Sequence, residues 1–229
     1  MDIVITGCSR GIGLEMVRLF AADNNNRVLA VSRNVAPLKN IQEQFPESLM
    51  PFAAEITTTD FIPLFCRHLE SLKFAPSVLI NNAGLLINKR FEELTANDVD
   101  ALVAVNLKSP FLIIRALIPY LSKPAHIVNI GSMGGFQGSE KFPGLSLYSA
   151  TKGALAVLTE CLAVELQGSG IAINCLALGS AQTEMLQEAF PGYVSPISAQ
   201  AMAGFIHRFA LDGHHFFNGK VIPVSSTTP

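Results

Sequence analysis

Tyr148 and Lys152 stand four residues apart, separated by Ser149, Ala150 and Thr151. The stretch from Leu147 to Leu166 reads as a helix, and on a helix residues i and i+4 share one face. A phenol is a weak acid near neutral pH, with a reference pKa of about 10. An ammonium beside it favours the phenolate and lowers that value. The pair is therefore suited to give a proton to a carbonyl oxygen or to take one from an alcohol. In isolation such a pair is more often a surface feature, so its weight rests on what precedes it in the chain.

The run Thr6-Gly7-Cys8-Ser9-Arg10-Gly11-Ile12-Gly13 precedes it. It follows Asp2 to Thr6, an apolar segment rich in β-branched residues that reads as a buried strand. It leads into Leu14 to Ala22, where Leu14, Val17, Arg18 and Ala21 have helical spacing. Strand, glycine turn and helix together form the context of a dinucleotide site. Gly7 suits the tight turn, Gly11 an approach of backbone to pyrophosphate, and Gly13 close helix–strand packing. The helix N-terminus offers free N–H groups and a positive dipole end to phosphate.

On these and three further motifs the chain resembles the classical short-chain dehydrogenase/reductase family. The family's glycine motif is matched from Thr6 to Gly13, and its Asn-Asn-Ala-Gly motif by Asn81-Asn82-Ala83-Gly84. Its catalytic asparagine, serine, tyrosine and lysine look like Asn106, Ser132, Tyr148 and Lys152. The resemblance implies that Ser132 holds the substrate oxygen and Tyr148 exchanges the proton. Lys152 would hold a ribose hydroxyl and lower the tyrosine pKa. Asn106 would bind, through its backbone carbonyl, a water that continues the proton relay. Cofactor contacts are expected from Gly7, Ser9, Arg10, Gly11, Ile12, Gly13, Asn82, Ala83, Gly84, Tyr148, Lys152 and Gly179, with Thr183 holding the carboxamide.

These residues need a frame. Strands are predicted near 2–6, 27–32, 49–54, 77–81, 126–131, 171–177 and 220–224. Helices are predicted near 12–22, 35–44, 58–72, 96–121, 147–167, 184–189 and 198–210. Apolar strand runs alternating with helices indicate a parallel sheet covered on both faces. The expectation is α/β: a single doubly wound Rossmann-type domain spanning residues 1–229, with a seven-stranded parallel sheet. Its strand order would resemble the family's 3-2-1-4-5-6-7, with the ligand over the carboxyl ends at the switch point.

The cofactor expected is NADP(H), with NAD(H) the weaker alternative. The second strand, Arg27 to Ser32, ends without the acid that binds ribose hydroxyls in NAD sites. Arg33 stands there instead, and a guanidinium matches a phosphate bidentately. Arg10 is a second cation that could face the same phosphate. Glu55, followed by Ile56, falls where the family often has an aspartate touching adenine.

Other departures concern the substrate and the termini. The loop from Ser132 to Tyr148 is about three residues longer than usual in the family, with the surplus at Glu140-Lys141-Phe142. Phe136 and Phe142 could wall the substrate or simply pack the loop. Leu178 replaces the usual proline before Gly179, which loosens that turn. Only a short lid near 184–197 is expected, and hence an open site that admits a small-molecule or carrier-borne carbonyl. The family's closing Asp-Gly-Gly is replaced by Val221 to Val224 running into Ser225-Ser226-Thr227.

Composition narrows the rest. The 229 residues carry a net charge of −2, with 49% apolar and 15% charged residues. That balance gives no electrostatic footprint for nucleic acid. No apolar run approaches membrane-spanning length, and acidic Asp2 argues against a signal peptide. Cys8, Cys66, Cys161 and Cys175 lack zinc-like spacing and read as reduced thiols of a cytoplasmic protein. His214-His215 beside Asp212 reads as a solvated loop, and no metal is expected. Leu155, Leu158, Leu162 and Leu166 beside Ala154 and Val157 exceed one core face, and the resemblance implies a homodimer or homotetramer through these helices. Two functional classes follow: an NADP(H)-dependent ketone or aldehyde reductase, or a non-catalytic NADP(H)-binding sensor or scaffold. Retention of all four catalytic-type residues favours the reductase.

Overall fold

Side chains alternate across a strand, so a strand covered on both faces needs apolar residues at every position. In β1 (Asp2–Thr6), Ile3 and Ile5 face one helical layer while Val4 faces the other. The same division runs through β2 (Arg27–Ser32), β4 (Val78–Asn81), β5 (Ala125–Ser132) and β6 (Ile171–Leu178). With β3 (Leu49–Ala53) and β7 (Val221–Val224) they form a seven-stranded parallel sheet in the order β3-β2-β1-β4-β5-β6-β7. The expected fold class and strand order are therefore those of the protein. The computed structural model describes residues 1–225; Ser226 and Thr227 of the unusual closing run lie outside them.

One face carries α1 (Gly11–Ala21), α2 (Lys39–Gln44) and α8 (Ala199–Asp212), centred on Met16, Phe20, Met202 and Ile206. The other carries α3 (Phe61–Leu72), α4 (Ala96–Val103), α5 (Ser109–Leu117) and α6 (Ser146–Glu165), centred on Phe61, Phe65, Ile113 and Leu117. A short α7 (Glu184–Ala189) lies beyond β6. Predicted boundaries agree within one or two residues in most elements. Two differ for local reasons. Pro37 opens a tight three-residue turn, Ala36–Leu38, before α2. The helix predicted from 58 begins at Phe61.

The long helix predicted over 96–121 contains a wide turn, Ala104–Lys108, between α4 and α5. The Ser109 N–H reaches back five residues to the Ala104 carbonyl, and the Ser109 hydroxyl donates to that same oxygen at 2.7 Å. Pro110 follows, and a proline has no N–H to give the Asn106 carbonyl four residues earlier. By length and composition alone, Ala96–Tyr120 and Ser146–Glu165 could cross a membrane. Both lie along the sheet with Leu102, Ile113, Leu117, Leu155 and Ala163 buried.

At the sheet's other end the expected solvated histidine loop is corrected. Gly213–His215 forms a tight turn, and His214 is half-buried with its ring 5.4 Å from that of buried His126. Packing of β5 against α8 draws the turn inward. Among the described residues, no group of three or more His, Cys, Asp or Glu side chains is placed to hold a metal. Pro223 sits in β7, an edge strand, where a missing donor is tolerated.

Candidate active site

The turn between β1 and α1 is built by backbones in contact. Gly7 has φ +74°, and a Cβ there would meet the Ala83 backbone at 2.7 Å. A Cβ at Gly13 would stand 2.1 Å from the Gly7 carbonyl oxygen, so α1 can begin this close to the strand only with glycine. Asn82 locks the turn to β4: its Nδ2 donates to the carbonyls of Thr6 at 2.9 Å and Gly7 at 3.0 Å. The Thr6 hydroxyl returns the contact by accepting from the N–H groups of Asn82 and Ala83. No side chain caps the start of α1. By contrast Thr95, Thr183 and Ser198 cap α4, α7 and α8. The first amides of α1 are therefore available to an anion.

Ser132 ends β5, while Tyr148 and Lys152 sit one turn apart on α6. The Ser132 hydroxyl accepts from the Gly134 N–H at 3.1 Å, and Ser132 and Tyr148 both line the same cleft. Lys152 is buried and donates to the Ile130 carbonyl at 2.8 Å. Burial lowers its ammonium to about 8. The expectation that Lys152 pulls the phenol down is corrected here. Burial pushes the Tyr148 phenol up, and the opposing influence is the neighbouring Ser132 hydroxyl. The ammonium stands over the tyrosine ring, 6.0 Å from its centroid. Asn106 is fully buried: Nδ2 donates to Leu85 O and Thr151 Oγ1, and Oδ1 accepts from the Leu85 N–H. Its side chain thus ties the wide turn to α6 and to the segment after Gly84. A Cβ at Gly84 would lie 3.5 Å from Lys152 Nζ and 3.7 Å from Asn106 Oδ1, so these elements converge.

Ser132, Tyr148 and Lys152 border one cleft of about 710 Å³ over the carboxyl ends of the strands. Gly7, Ser9, Arg10, Gly11, Ile12 and Gly13 line one wall, with Arg33, Glu55, Ile56, Asn82, Ala83, Gly84, Gly179 and Thr183. Asn106 stands behind that wall. Arg33 is 80% exposed and 3.6 Å from Glu55. Arg10 is not a free cation facing the cleft. Glu188 of α7 grips its guanidinium with both carboxylate oxygens, one of them 3.0 Å from Nη2. Thr183 also has structural work: its Oγ1 accepts the Leu186 N–H and starts α7.

The segment expected as a short lid supplies part of the cleft's lining. Met185, Leu186, Phe190 and Tyr193 line the cavity. Asn88 Nδ2 donates to the Ala189 carbonyl at 2.8 Å, so the segment is fastened opposite Glu188 as well. Phe142 reaches the cleft, whereas Phe136 lines an adjacent groove. The extra loop residue Lys141 folds back onto Phe136 O and Ser139 Oγ.

A sequence model of the short chain dehydrogenase family matches residues 2–193. The chain belongs to that family. Its members include 3-oxoacyl-(acyl-carrier-protein) reductase FabG of Thermotoga maritima, which is 30% identical over 189 residues, 81% of this chain and 76% of the relative. A short chain dehydrogenase of Burkholderia cenocepacia, solved in complex with NADP, is 25% identical with a TM-score of 0.84. The match covers 97% of this chain and 95% of that one. A 3-ketoacyl-(acyl-carrier-protein) reductase of Brucella melitensis, solved with NADH, shares the fold at 24% identity and a TM-score of 0.83, covering 97% and 96%.

This short-chain dehydrogenase is accordingly an oxidoreductase. The open amides of α1, the glycine-walled turn and the cleft fit a nicotinamide dinucleotide. The sequence reading missed the lid's inward apolar residues and Glu188. Met185, Leu186 and Phe190 are visible as an apolar set around a short helix, but nothing in the sequence ties Glu188 to a residue 178 positions earlier.

Proposed function

We propose that this protein is an NADP(H)-dependent reductase of ketones or aldehydes, able to oxidise the matching alcohols, with Tyr148 as proton donor and acceptor. One observation carries the reading: Ser132, Tyr148 and the buried Lys152 line one cleft beside an uncapped glycine turn at the carboxyl ends of the strands. When bound, the nicotinamide supplies or accepts the hydride. The chain's own residues handle the oxygen. Ser132 donates to the substrate carbonyl and Tyr148 gives up its proton as negative charge develops there. The Ser132 hydroxyl then stabilises the phenolate, and Lys152 would hold a ribose hydroxyl of the cofactor. Pro110 withholds a helical bond from the Asn106 carbonyl, leaving that oxygen suited to hold a water on the path to Lys152.

NADP(H) is favoured over NAD(H) by Arg33 and by the lack of an acid at the end of β2; Arg10 would add to this only when released from Glu188. The substrate is a small-molecule or carrier-borne carbonyl. Its apolar part would meet Leu86, Met185, Phe190 and Phe142, and the segment near 184–197 acts as a short lid. A cytoplasmic homodimer or homotetramer is the working state, without nucleic-acid or membrane partners. On α6 the leucines turn inward or are half-buried; Val157 and Val164, 58% and 73% exposed, are the apolar side chains offered to a second copy.

Calorimetric titration with NADPH and NADH tests the cofactor claim. Tighter NADPH binding supports it. Tighter NADH binding overturns the preference, and binding of neither overturns the reading of the cleft.

A further inference from the structure

We infer that Glu188, a lid residue outside the cofactor wall, sets the cofactor preference by competing with the adenosine 2′-phosphate for Arg10. The inference rests on the dinucleotide-reductase reading above. Two guanidinium groups border the adenosine end of the cleft, and each already faces a carboxylate. Arg33 stands 3.6 Å from Glu55. Arg10 is held bidentately by Glu188, and Glu184 on the same helix adds to the negative field around it. That end therefore carries two cations and three nearby carboxylates.

A guanidinium presents a planar fork, and a bidentate carboxylate occupies the same geometry that a phosphate would use. A 2′-phosphate brings roughly −1.5 to −2 charges and must displace Glu188 to obtain the Arg10 fork. NADH carries hydroxyls at that ribose and makes no such demand. Glu188 thus penalises NADPH and leaves NADH nearly untouched. Arg10 holds the Glu188 carboxyl below the usual carboxylate range, so the competition persists through the neutral pH region. Releasing Arg10 does not free the lid, because the bond from Asn88 to Ala189 remains. Arg10 and Glu188 are both substantially exposed, so exchange of partners needs no rearrangement of the core.

The test is calorimetric binding of NADPH and NADH to the wild type, Glu188→Gln, Arg10→Gln and the double variant, at one fixed ionic strength. Glutamine keeps the shape of Glu188 and removes its charge. Glu188→Gln is expected to tighten NADPH about three- to five-fold, the scale of one exposed ion pair, and to change NADH less than two-fold. On the Arg10→Gln background the same change should have no further effect on NADPH. An unchanged NADPH-to-NADH ratio in Glu188→Gln overturns the inference while leaving the reductase reading in place. Weaker NADPH binding also overturns it, since Glu188 would then be aiming Arg10 at the phosphate. A gain that survives without Arg10 shows that Glu188 does not act through that residue. A wild type that binds neither nucleotide sinks the reductase reading itself, and this inference with it.

Discussion

His126 and Lys152 are both buried bases served by β5, one at the strand's start and the other near its end, and they are 1% and 4% exposed. At the start, each ring nitrogen of His126 has a partner. Nδ1 donates to the Ala210 carbonyl at 3.0 Å, and Nε2 accepts from Asn174 Nδ2 at 3.0 Å. Those partners fix the neutral tautomer, and burial holds the imidazolium down at about 4. Asn174 continues the chain to Phe217 O and the Lys220 N–H, pinning the approach to β7. At the other end, Lys152 holds the Ile130 carbonyl of the same strand, and burial works against its charge. The first site uses polar groups to fasten the chain. The second keeps a buried lysine whose charge is brought towards the neutral range, beside the phenol to which the proposed reaction assigns proton transfer.

The largest effect that would sharpen this contrast comes from Tyr148→Phe. Turnover should fall about 10³-fold, with NADPH affinity within two-fold of wild type. Retained turnover would remove Tyr148 from the acid role. Next is Lys152→Met, which should lose turnover yet raise stability. The folded-state pKa of about 8 lies below the ordinary 10.5, so between those values the unfolded chain binds more protons and stability rises with pH. Below pH 8 the buried charge opposes folding. Removing it should raise Tm at pH 7, and the gain should shrink as pH climbs from 8 to 10.5. A lower Tm at pH 7 would break the comparison.

His126→Ala should do the opposite. It strands Asn174 and the Ala210 carbonyl, at a cost of about 2 kcal/mol, or a Tm lowered by about 4–8 °C. Activity per folded molecule should stay unchanged. In the wild type, the low imidazole pKa means stability is complete above pH 6.5 and falls as pH drops towards about 4. The smallest effect expected is at the surface. Arg33→Ala should weaken NADPH about five-fold and NADH hardly at all; equal losses would show that Arg33 does not read the phosphate.

The fold and the top of the sheet were legible in the sequence because their signals are local. The glycine turn declares itself within eight residues, and the central positions of β1, β2 and β4 form short apolar runs because both faces are covered. Asn106 and Pro110 lie four apart, and that spacing announces the wide turn to a reader who asks which carbonyl a proline leaves unserved. What stayed hidden depends on contacts between distant segments. The clasp of Glu188 on Arg10 and the pairing of His214 with His126 have no local signature. The direction of the Tyr148 pKa was misread because spacing shows a neighbouring charge but not the burial that overrides it.

The measurement that tests the account most directly is NADPH consumption by the purified protein across a panel of ketones and aldehydes, run beside Tyr148→Phe. The account predicts turnover of at least one carbonyl by the wild type and its loss in the variant. NADPH that binds tightly yet is consumed with no carbonyl in the panel, or is consumed equally by both proteins, would contradict it.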